Sequence, residues 1–189
     1  TLNVIYTNGC SNTNSYNPVI VDSIPQFTYT ISDYVGCAPL QPQFINYNAG
    51  APYSWKWYFG DGDSSISASP VHTYYNDGTY IVSCFATNSS GCSWGYALNA
   101  KVTVSSPQAA FSADKYTGCA PLQVNFNNQS VNVVSYQWDF GDGATSVVAN
   151  PTHIYQSPGI YNAKLIVVNN NGCTDTLMSS AINVTASGN

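Results

Sequence analysis

Two histidines and nine aspartates hold most of the proton-transfer and metal-binding capacity of this 189-residue sequence, which contains neither glutamate nor arginine. His72 and His153 occupy matching contexts, Pro70-Val71-His72-Thr73-Tyr74 and Pro151-Thr152-His153-Ile154-Tyr155. A catalytic histidine needs a nucleophile and an orienting group within about 3 Å. No serine or cysteine recurs in both contexts in a nucleophile-like setting, so no catalytic residue is expected. Each histidine is instead expected to tie a strand to a nearby Gly-Asp-Gly turn by hydrogen bonds. Asp61, Asp63, Asp139 and Asp142 cluster in those turns and are the candidates for calcium, which takes roughly six to eight oxygen ligands. Two carboxylates per turn fall short of that number, and an aspartate between glycines commonly accepts its own turn's N–H groups. Calcium is therefore a secondary candidate, and no cofactor is expected.

The six cysteines, at positions 10, 37, 84, 92, 119 and 173, show no Cys-Xaa-Xaa-Cys pair and no clustering with histidine, which excludes the usual zinc patterns. Six cysteines in so short a chain point to disulfides and an oxidising compartment.

The elements that position these residues follow from composition. Four lysines are the only cations beside nine aspartates, giving a formal charge of −5. That excludes the cationic footprint a nucleic-acid partner requires. No apolar run approaches the roughly 18 residues of a membrane-spanning helix, so membrane insertion is not expected. Hydrophobic residues make up 44% and aromatics 14%, enough apolar area to fold. With Glu and Arg missing and Thr, Val, Ile and Tyr plentiful, the sequence reads all-β. Its surface must be hydrated by uncharged Asn, Ser, Thr and Tyr, which suits an extracellular protein.

An internal repeat sets the organisation. Gly36-Cys37-Ala38-Pro39-Leu40-Gln41 recurs as Gly118-Cys119-Ala120-Pro121-Leu122-Gln123, and Trp57-Tyr58-Phe59-Gly60-Asp61-Gly62 as Trp138-Asp139-Phe140-Gly141-Asp142-Gly143. The histidine contexts, Gly78-Thr79-Tyr80 against Gly159-Ile160-Tyr161, and Asn88 to Cys92 against Asn169 to Cys173 continue the series in the same order. Upstream, Asn8-Gly9-Cys10 falls at the place of the last landmark. Residues 1–24 are thus expected to be the closing hairpin of a preceding copy, with Val19 and Val21 in its final strand. Complete domains are expected at 25–105 and 107–187, joined through short proline-containing linkers. With no leader at Thr1, the sequence reads as a piece of a longer protein.

Within each copy, period-two alternation such as Gln123-Val124-Asn125-Phe126-Asn127 and turns such as Asn-Asn-Gly predict about seven short strands in an immunoglobulin-like sandwich. Trp57 and Trp138 fall at the core position of the third strand. Tyr80 and Tyr161, each two residues after a glycine, fall where a tyrosine corner pins the sixth. The first copy has extra aromatics, including Tyr53 and Tyr74. Core and edge packing is the first expectation for them, and stacking on a sugar or anchoring a partner the second, with Trp55, Trp94, Tyr75 and Tyr96 as the ligand-facing candidates.

The same topology bears on the cysteines. The turn before the second strand and the turn after the sixth lie at opposite ends of a sandwich, roughly 20–27 Å apart. A disulfide needs Cα atoms within about 7 Å. Cys37 with Cys92, and Cys119 with Cys173, look like partners by spacing, but the fold argues against them. End-to-end stacking of copies reverses the geometry and predicts Cys37–Cys173 between the two complete repeats. By the same rule Cys10 and Cys92 reach back to earlier repeats, Cys119 reaches forward to a following one, and Cys84, which aligns with Leu165, is a free buried thiol.

The series Trp-Xaa-Phe-Gly-Asp-Gly, Pro-Xaa-His-Xaa-Tyr and Gly-Xaa-Tyr resembles that of PKD domains, Ig-like modules named after polycystic kidney disease, over residues 25 to about 187. The paired Gly-Cys-Ala-Pro-Leu and Asn-Gly-Cys elements resemble tandem versions in secreted and cell-surface adhesins of Bacteroidota. The first copy departs from the second in having Tyr58 for Asp139, and Asn76-Asp77-Gly78 for Ser157-Pro158-Gly159. The resemblance implies a non-catalytic extracellular spacer or adhesive stalk, or alternatively an accessory or carbohydrate-binding region of a secreted protease or glycoside hydrolase. Its implied partners are neighbouring repeats of the same chain, and cell-surface glycans or other proteins. It also implies O-glycosylation at Ser23 in Asp22-Ser23-Ile24 and at Thr176 in Asp175-Thr176-Leu177.

Overall fold

The computed structural model describes the backbone of residues 2–5 and 11–14, and residues 27–49 and 53–188, the side chains of 97–100 excepted. These residues form strands, turns and bends with no helix, in two compact units, 1–104 and 105–189. Among them nothing is a helix long and apolar enough to cross a membrane.

Unit 1 begins with β1 (Leu2–Ile5) and β2 (Ser11–Asn14), an antiparallel hairpin whose innermost pair is Ile5 with Ser11. The hairpins that follow the Asn-Xaa-Xaa-Gly-Cys turns close with the same six-residue step, Thr87 with Ser93 and Val168 with Thr174. Cys10, Val19, Val21 and Ser23 lie outside the described residues. The rest of the unit is two sheets. One pairs β3 (Tyr29–Ile31) with β5 (Phe44–Asn46), extended by bridges from Gln43 to Val71 and from Leu40 to Tyr74. The other has the order β4-β9-β8-β6-β7, built from β4 (Val35–Gly36), β6 (Ser54–Tyr58), β7 (Ser64–Ser65), β8 (Gly78–Thr87) and β9 (Ser93–Val104). Alternation decides which faces meet. Trp55 and Trp57 on β6 are buried while Ser54, Lys56 and Tyr58 are exposed, and Phe44, Val82 and Val102 close the core from neighbouring strands.

Unit 2 repeats the plan with sheets of order β10-β12-β15, β14-β13-β17-β18 and β11-β19-β16. The strands are β10 (Phe111–Ala113), β11 (Thr117–Cys119), β12 (Leu122–Asn128), β13 (Ser135–Asp139), β14 (Thr145–Ser146), β15 (Thr152–Tyr155), β16 (Gly159–Tyr161), β17 (Lys164–Val168), β18 (Thr174–Met178) and β19 (Ile182–Thr185). The long strands of unit 1 are here interrupted, β8 answering to β16 and β17 and β9 to β18 and β19. The break falls where unit 1 has a register shift, between Ile81 and Ser83. Cross-strand pairs keep the cores in step: Trp57 opposes Cys84, and Trp138 opposes Leu165, all four fully buried.

That irregularity explains one glycine. Gly141 has φ +84°, and a Cβ there would lie 2.8 Å from the Asn162 carbonyl oxygen, in the gap between β16 and β17. Its counterpart Gly60, at φ +89°, meets the Ile81 carbonyl at 2.7 Å. Gly143 has φ +93° but open space around it. Gly141→Ala is expected to cost about 2–4 kcal/mol, combining left-handed strain with displacement of the bulge, and Gly143→Ala only about 1 kcal/mol. Equal losses of melting temperature in the two variants would refute the close-approach account.

Candidate functional site

The repeated motifs of the two copies converge on one assembly per unit. In unit 1 the turn after β6 is closed by Phe59 N–H donating to the Asp63 carbonyl (3.1 Å), and Asp61 Oδ1 accepts the Asp63 N–H (3.1 Å). The other carboxylate oxygen, Oδ2, lies 2.6 Å from His72 Nε2. The imidazole stacks flat on Phe59, with centroids 4.0 Å apart and planes at 4°, and meets Tyr74 edge-on at 4.7 Å. Tyr74 Oη donates to the Phe59 carbonyl (2.9 Å), and its ring stacks on Tyr80 at 4.4 Å. Tyr80 Oη donates to the Asn76 carbonyl (2.8 Å), the bond of a tyrosine corner.

Unit 2 repeats each contact. Asp142 Oδ1 accepts the Ala144 N–H (3.0 Å), and Oδ2 lies 2.7 Å from His153 Nε2. His153 stacks on Phe140 at 4.2 Å and 2°, with Tyr155 edge-on at 4.7 Å. Tyr155 Oη donates to the Phe140 carbonyl (3.0 Å), and Tyr161 Oη to the Ser157 carbonyl (3.0 Å). The motif order in the sequence is thus the order of a physical chain: turn, carboxylate, imidazole, buried tyrosine, corner tyrosine.

Electrostatics shows the pairs to be committed. Burial resists ionisation of Asp61, but the hydrogen bond from His72, the Asp63 N–H and the charge of His72 together hold its carboxyl below the ordinary range. Asp142 is depressed in the same way by His153 and the Ala144 N–H. Burial pushes the Tyr74 and Tyr155 hydroxyls well above the usual phenol range, so both remain neutral donors. Among the described residues neither histidine is hydrogen-bonded to a serine or cysteine, and the arrangement can hold a turn against a strand.

The calcium candidates fare differently from one another. Asp61, Asp63 and His72 place their ligand atoms within 4.8 Å in unit 1, but both Asp61 oxygens already accept hydrogen bonds. In unit 2 Ala144 stands in place of Asp63. Asp139 turns its Oδ1 to the Gly141 N–H (3.0 Å) and its Oδ2 to Lys164 Nζ (3.4 Å), and these two contacts lower its carboxyl. Among the described residues, too few uncommitted carboxylate oxygens remain at either turn to supply a calcium shell by themselves.

The ligand-facing assignment of Trp55 is corrected. Two residues from Trp57 on β6, it shares the inward face and is 4% exposed. Phe27 packs against Trp55 at 5.4 Å and against Tyr96 at 4.8 Å, and Tyr53 meets Trp94 edge-on at 6.4 Å. The surplus aromatics of the first copy therefore extend its core, with Trp94 and Tyr96 half-buried. Tyr75 alone of the four is open, at 75%. Other exposed aromatics include Tyr58 and Phe85, which meet edge-on at 5.7 Å, with Lys56 Nζ 5.1 Å from the Tyr58 centroid. Their parity opposite Trp57 and Cys84 was the signal that could have found them.

The cysteines divide by state. Cys37 and Cys173 are disulfide-bonded. Cys84 is a buried thiol, pushed up to about 12 by burial. Cys119 is an exposed thiol whose Sγ accepts from Thr185 Oγ1 (3.6 Å), so no bond joins it to Cys173. Cys92 is half-buried in its turn. Thr176 is exposed on β18, its N–H held by Asp175 Oδ1 (2.8 Å), while Asp175 Oδ2 accepts from the Ala109 N–H (2.7 Å).

A family model described as PKD domain matches residues 34–104 and 104–185. Among curated proteins, collagenase ColA of Bacillus cereus is 39% identical over 62 residues, which is 30% of this chain and 6% of the collagenase. The pre-pro-metalloprotease PrtV of Vibrio cholerae is 38% identical over 86 residues, 44% of this chain and 9% of PrtV. The chain thus spans less than a tenth of the length of these relatives. Among solved structures, the PKD1 domain of PrtV is 36% identical, covering 43% of this chain and all of that domain with a TM-score of 0.38. The PKD1 domain of Vibrio anguillarum Epp is 30% identical over 43% of this chain and 98% of its own, with a TM-score of 0.37.

Proposed function

Because the chain belongs to the PKD domain family, matched over most of its length, we propose that it serves as a non-catalytic accessory region of a secreted hydrolase, spacing neighbouring domains near an extracellular polymer. PKD domains are Ig-like modules without catalysis of their own. The observation that carries the accessory reading is the 38–39% identity of a 62-residue and an 86-residue stretch of the chain to a collagenase and a metalloprotease. The commitment of each Asp–His pair to turn and stack supports it, because the only histidines are spent on architecture. The disulfide-bonded state of Cys37 and Cys173 supports an extracellular setting. Deleting residues 27–188 from the parent protein is expected to leave hydrolysis of a soluble peptide within about twofold, and to lower hydrolysis of an insoluble collagen about tenfold, through lost effective concentration. A parent without a hydrolase domain, or equal losses on both substrates, overturns the reading.

A second reading, the stiff stalk of a cell-surface adhesin that meets glycans or other proteins, is favoured by the low charge of the sequence and by the placement of its cysteines. It includes glycans on Ser23 and Thr176, which intact-mass measurement of the natively produced protein would reveal. Both readings share the pairing Cys37–Cys173, supported by the bonded state of each. Non-reducing peptide mapping is expected to recover these two cysteines in one linked peptide. Recovery of Cys37 joined to Cys92 overturns the pairing.

A further inference from the structure

One sheet face of unit 1 carries a set of side chains that unit 2 lacks. Because Trp57, Cys84 and Val102 point into the core, alternation turns Lys56, Tyr58, Ile81, Phe85 and Lys101 outward on the five-stranded sheet. Register sets them side by side: Lys56 opposes Phe85, Tyr58 opposes Ser83, and Ile81 opposes Lys101. Phe85 also opposes Gly95, where a Cβ would lie 2.7 Å from Phe85 Cε1 and 3.2 Å from its Cδ1, so the ring lies down across the glycine. Tyr58 meets that ring edge-on at 5.7 Å, and the Lys56 ammonium is held 5.1 Å from the Tyr58 centroid. Tyr58 and Phe85 remain 41% and 39% exposed, and Ile81 63%.

The charge on this face is one-sided. Lys56 and Lys101 are the only lysines of unit 1, and none of its described aspartates, Asp33, Asp61, Asp63 and Asp77, falls on a strand. Among the described residues neither lysine has an ion-pair partner. In a chain of formal charge −5 the result is a cationic strip. The cross-strand partners of the two lysines are separated by roughly 13 Å along β8, with the aromatic pair and Ile81 between the charges. Unit 2 replaces every member of the strip. Gln137 stands for Lys56, Asp139 for Tyr58 and Ile166 for Phe85, in the same register. Asn162 faces Gly141 as Ile81 faces Gly60. Ala181 precedes Ile182, which pairs with Tyr161, as Lys101 precedes Val102, which pairs with Tyr80. The acid that appears there, Asp139, is answered by Lys164 at 3.4 Å.

We propose that this face of unit 1 binds an acidic polysaccharide of the uronic-acid class, with a sugar ring stacked on Phe85 and carboxylates met by Lys56 and Lys101. Charge complementarity selects an anionic occupant, because two unpaired lysines on an acid-free sheet attract carboxylates and give a neutral chain no such contact. The aromatic platform selects a sugar over an acidic peptide. A ring lying flat on a sheet offers its open face to the C–H side of a pyranose, whereas an acidic peptide would need only the lysines. Thr79, Ser83 and Thr103 lie on the same face, and their hydroxyls can both donate to and accept from a sugar's own. The proposal deepens the accessory reading by naming the class of polymer, and takes from it only the extracellular setting.

Calorimetric titration of the full chain at low ionic strength tests this, with a galacturonate hexamer beside the neutral galactose hexamer and hexaglutamate. Galacturonate is expected to bind about tenfold more tightly than either, and to weaken as salt is added, since exposed charges are screened over ~10 Å at 0.1 M. Lys56→Gln and Lys101→Ala install the residues that unit 2 carries. Each should lower the affinity about threefold, and the two together about tenfold. Phe85→Ile should lower it about fivefold. Lys115→Ala, in unit 2, should leave it unchanged. The melting temperature of the lysine variants should move by less than ~2 °C, which separates lost binding from lost fold. Absence of heat with galacturonate, equal binding of the neutral hexamer, hexaglutamate bound as tightly, or full affinity in the double lysine variant overturns the proposal. Hydrolysis plays no part in the readout, so failure here is distinguishable from failure of the hydrolase reading.

Discussion

Replacing His153 by alanine is expected to destabilise unit 2 by about 2–4 kcal/mol, more than an ordinary half-exposed polar residue would. The imidazole makes three kinds of contact that alanine cannot: the flat stack on Phe140, the edge-on contact with Tyr155, and the 2.7 Å bond to Asp142. Its loss also leaves Asp142 Oδ2 without a donor at a site whose side chain is only 21% exposed. For a unit of this size each kilocalorie corresponds to roughly 4–8 °C, so calorimetry should show a fall of ~10–25 °C. A fall under ~2 °C would show that the pairing is incidental.

The same pairs set an acid limit. Because the folded carboxyls of Asp61 and Asp142 are held below their unfolded value, the stabilisation is fully present above about pH 4 and is lost as pH falls through the folded value. Melting temperature is therefore expected to hold from neutrality to about pH 4 and then drop. In His153→Ala the unit 2 part of that drop should shrink. An acid limb unchanged in the variant would assign the pH dependence elsewhere.

The second large effect is at the tryptophans, where the copies make opposite predictions for one substitution. Trp138→Ala is expected to cost about 3–5 kcal/mol, as for other fully buried aromatics. Trp138→Phe is expected to remain costly, because the indole N–H donates to the Val148 carbonyl (2.9 Å) and phenylalanine strands that acceptor. Trp57 is equally buried, but its Nε1 has no hydrogen-bond partner among the described residues. Trp57→Phe then removes an unsatisfied donor along with some packing, and should be milder than Trp138→Phe by about 1–2 kcal/mol. Denaturant melts of the two variants decide it, and equal losses would mean that the indole bond in unit 2 contributes nothing.

The tryptophans also mark how far sequence carries. The all-β tandem with Trp57 and Trp138 inside follows from alternation alone, since a strand's own period of two says which side chains share a face. The same rule places Trp55 inside and Tyr58 outside, and it was the excess of aromatics in one copy that suggested a binding surface. What alternation does not contain is the partner across the ladder. That Asp61 spends both oxygens depends on a histidine eleven residues later, between the bridges that Val71 and Tyr74 make to Gln43 and Leu40. That Gly141 must be glycine depends on Asn162, at the interruption between β16 and β17, which no local pattern announces. The Lys164–Asp139 contact likewise follows from register across twenty-five residues.

The paired cores, finally, bear on how two such similar neighbours avoid exchanging strands while the chain is being made, a hazard of adjacent homologous domains. Cys84 against Trp57 and Leu165 against Trp138 fill their cores with different volumes. A β8 segment lodged in the wrong unit would bring a small thiol to the place of a leucine and leave a void, while the reverse exchange would crowd the first core. Each mistake costs on the order of 1–3 kcal/mol. Divergence at this one position therefore acts as a proofreading mark, making correct pairing within each copy the lower-energy outcome.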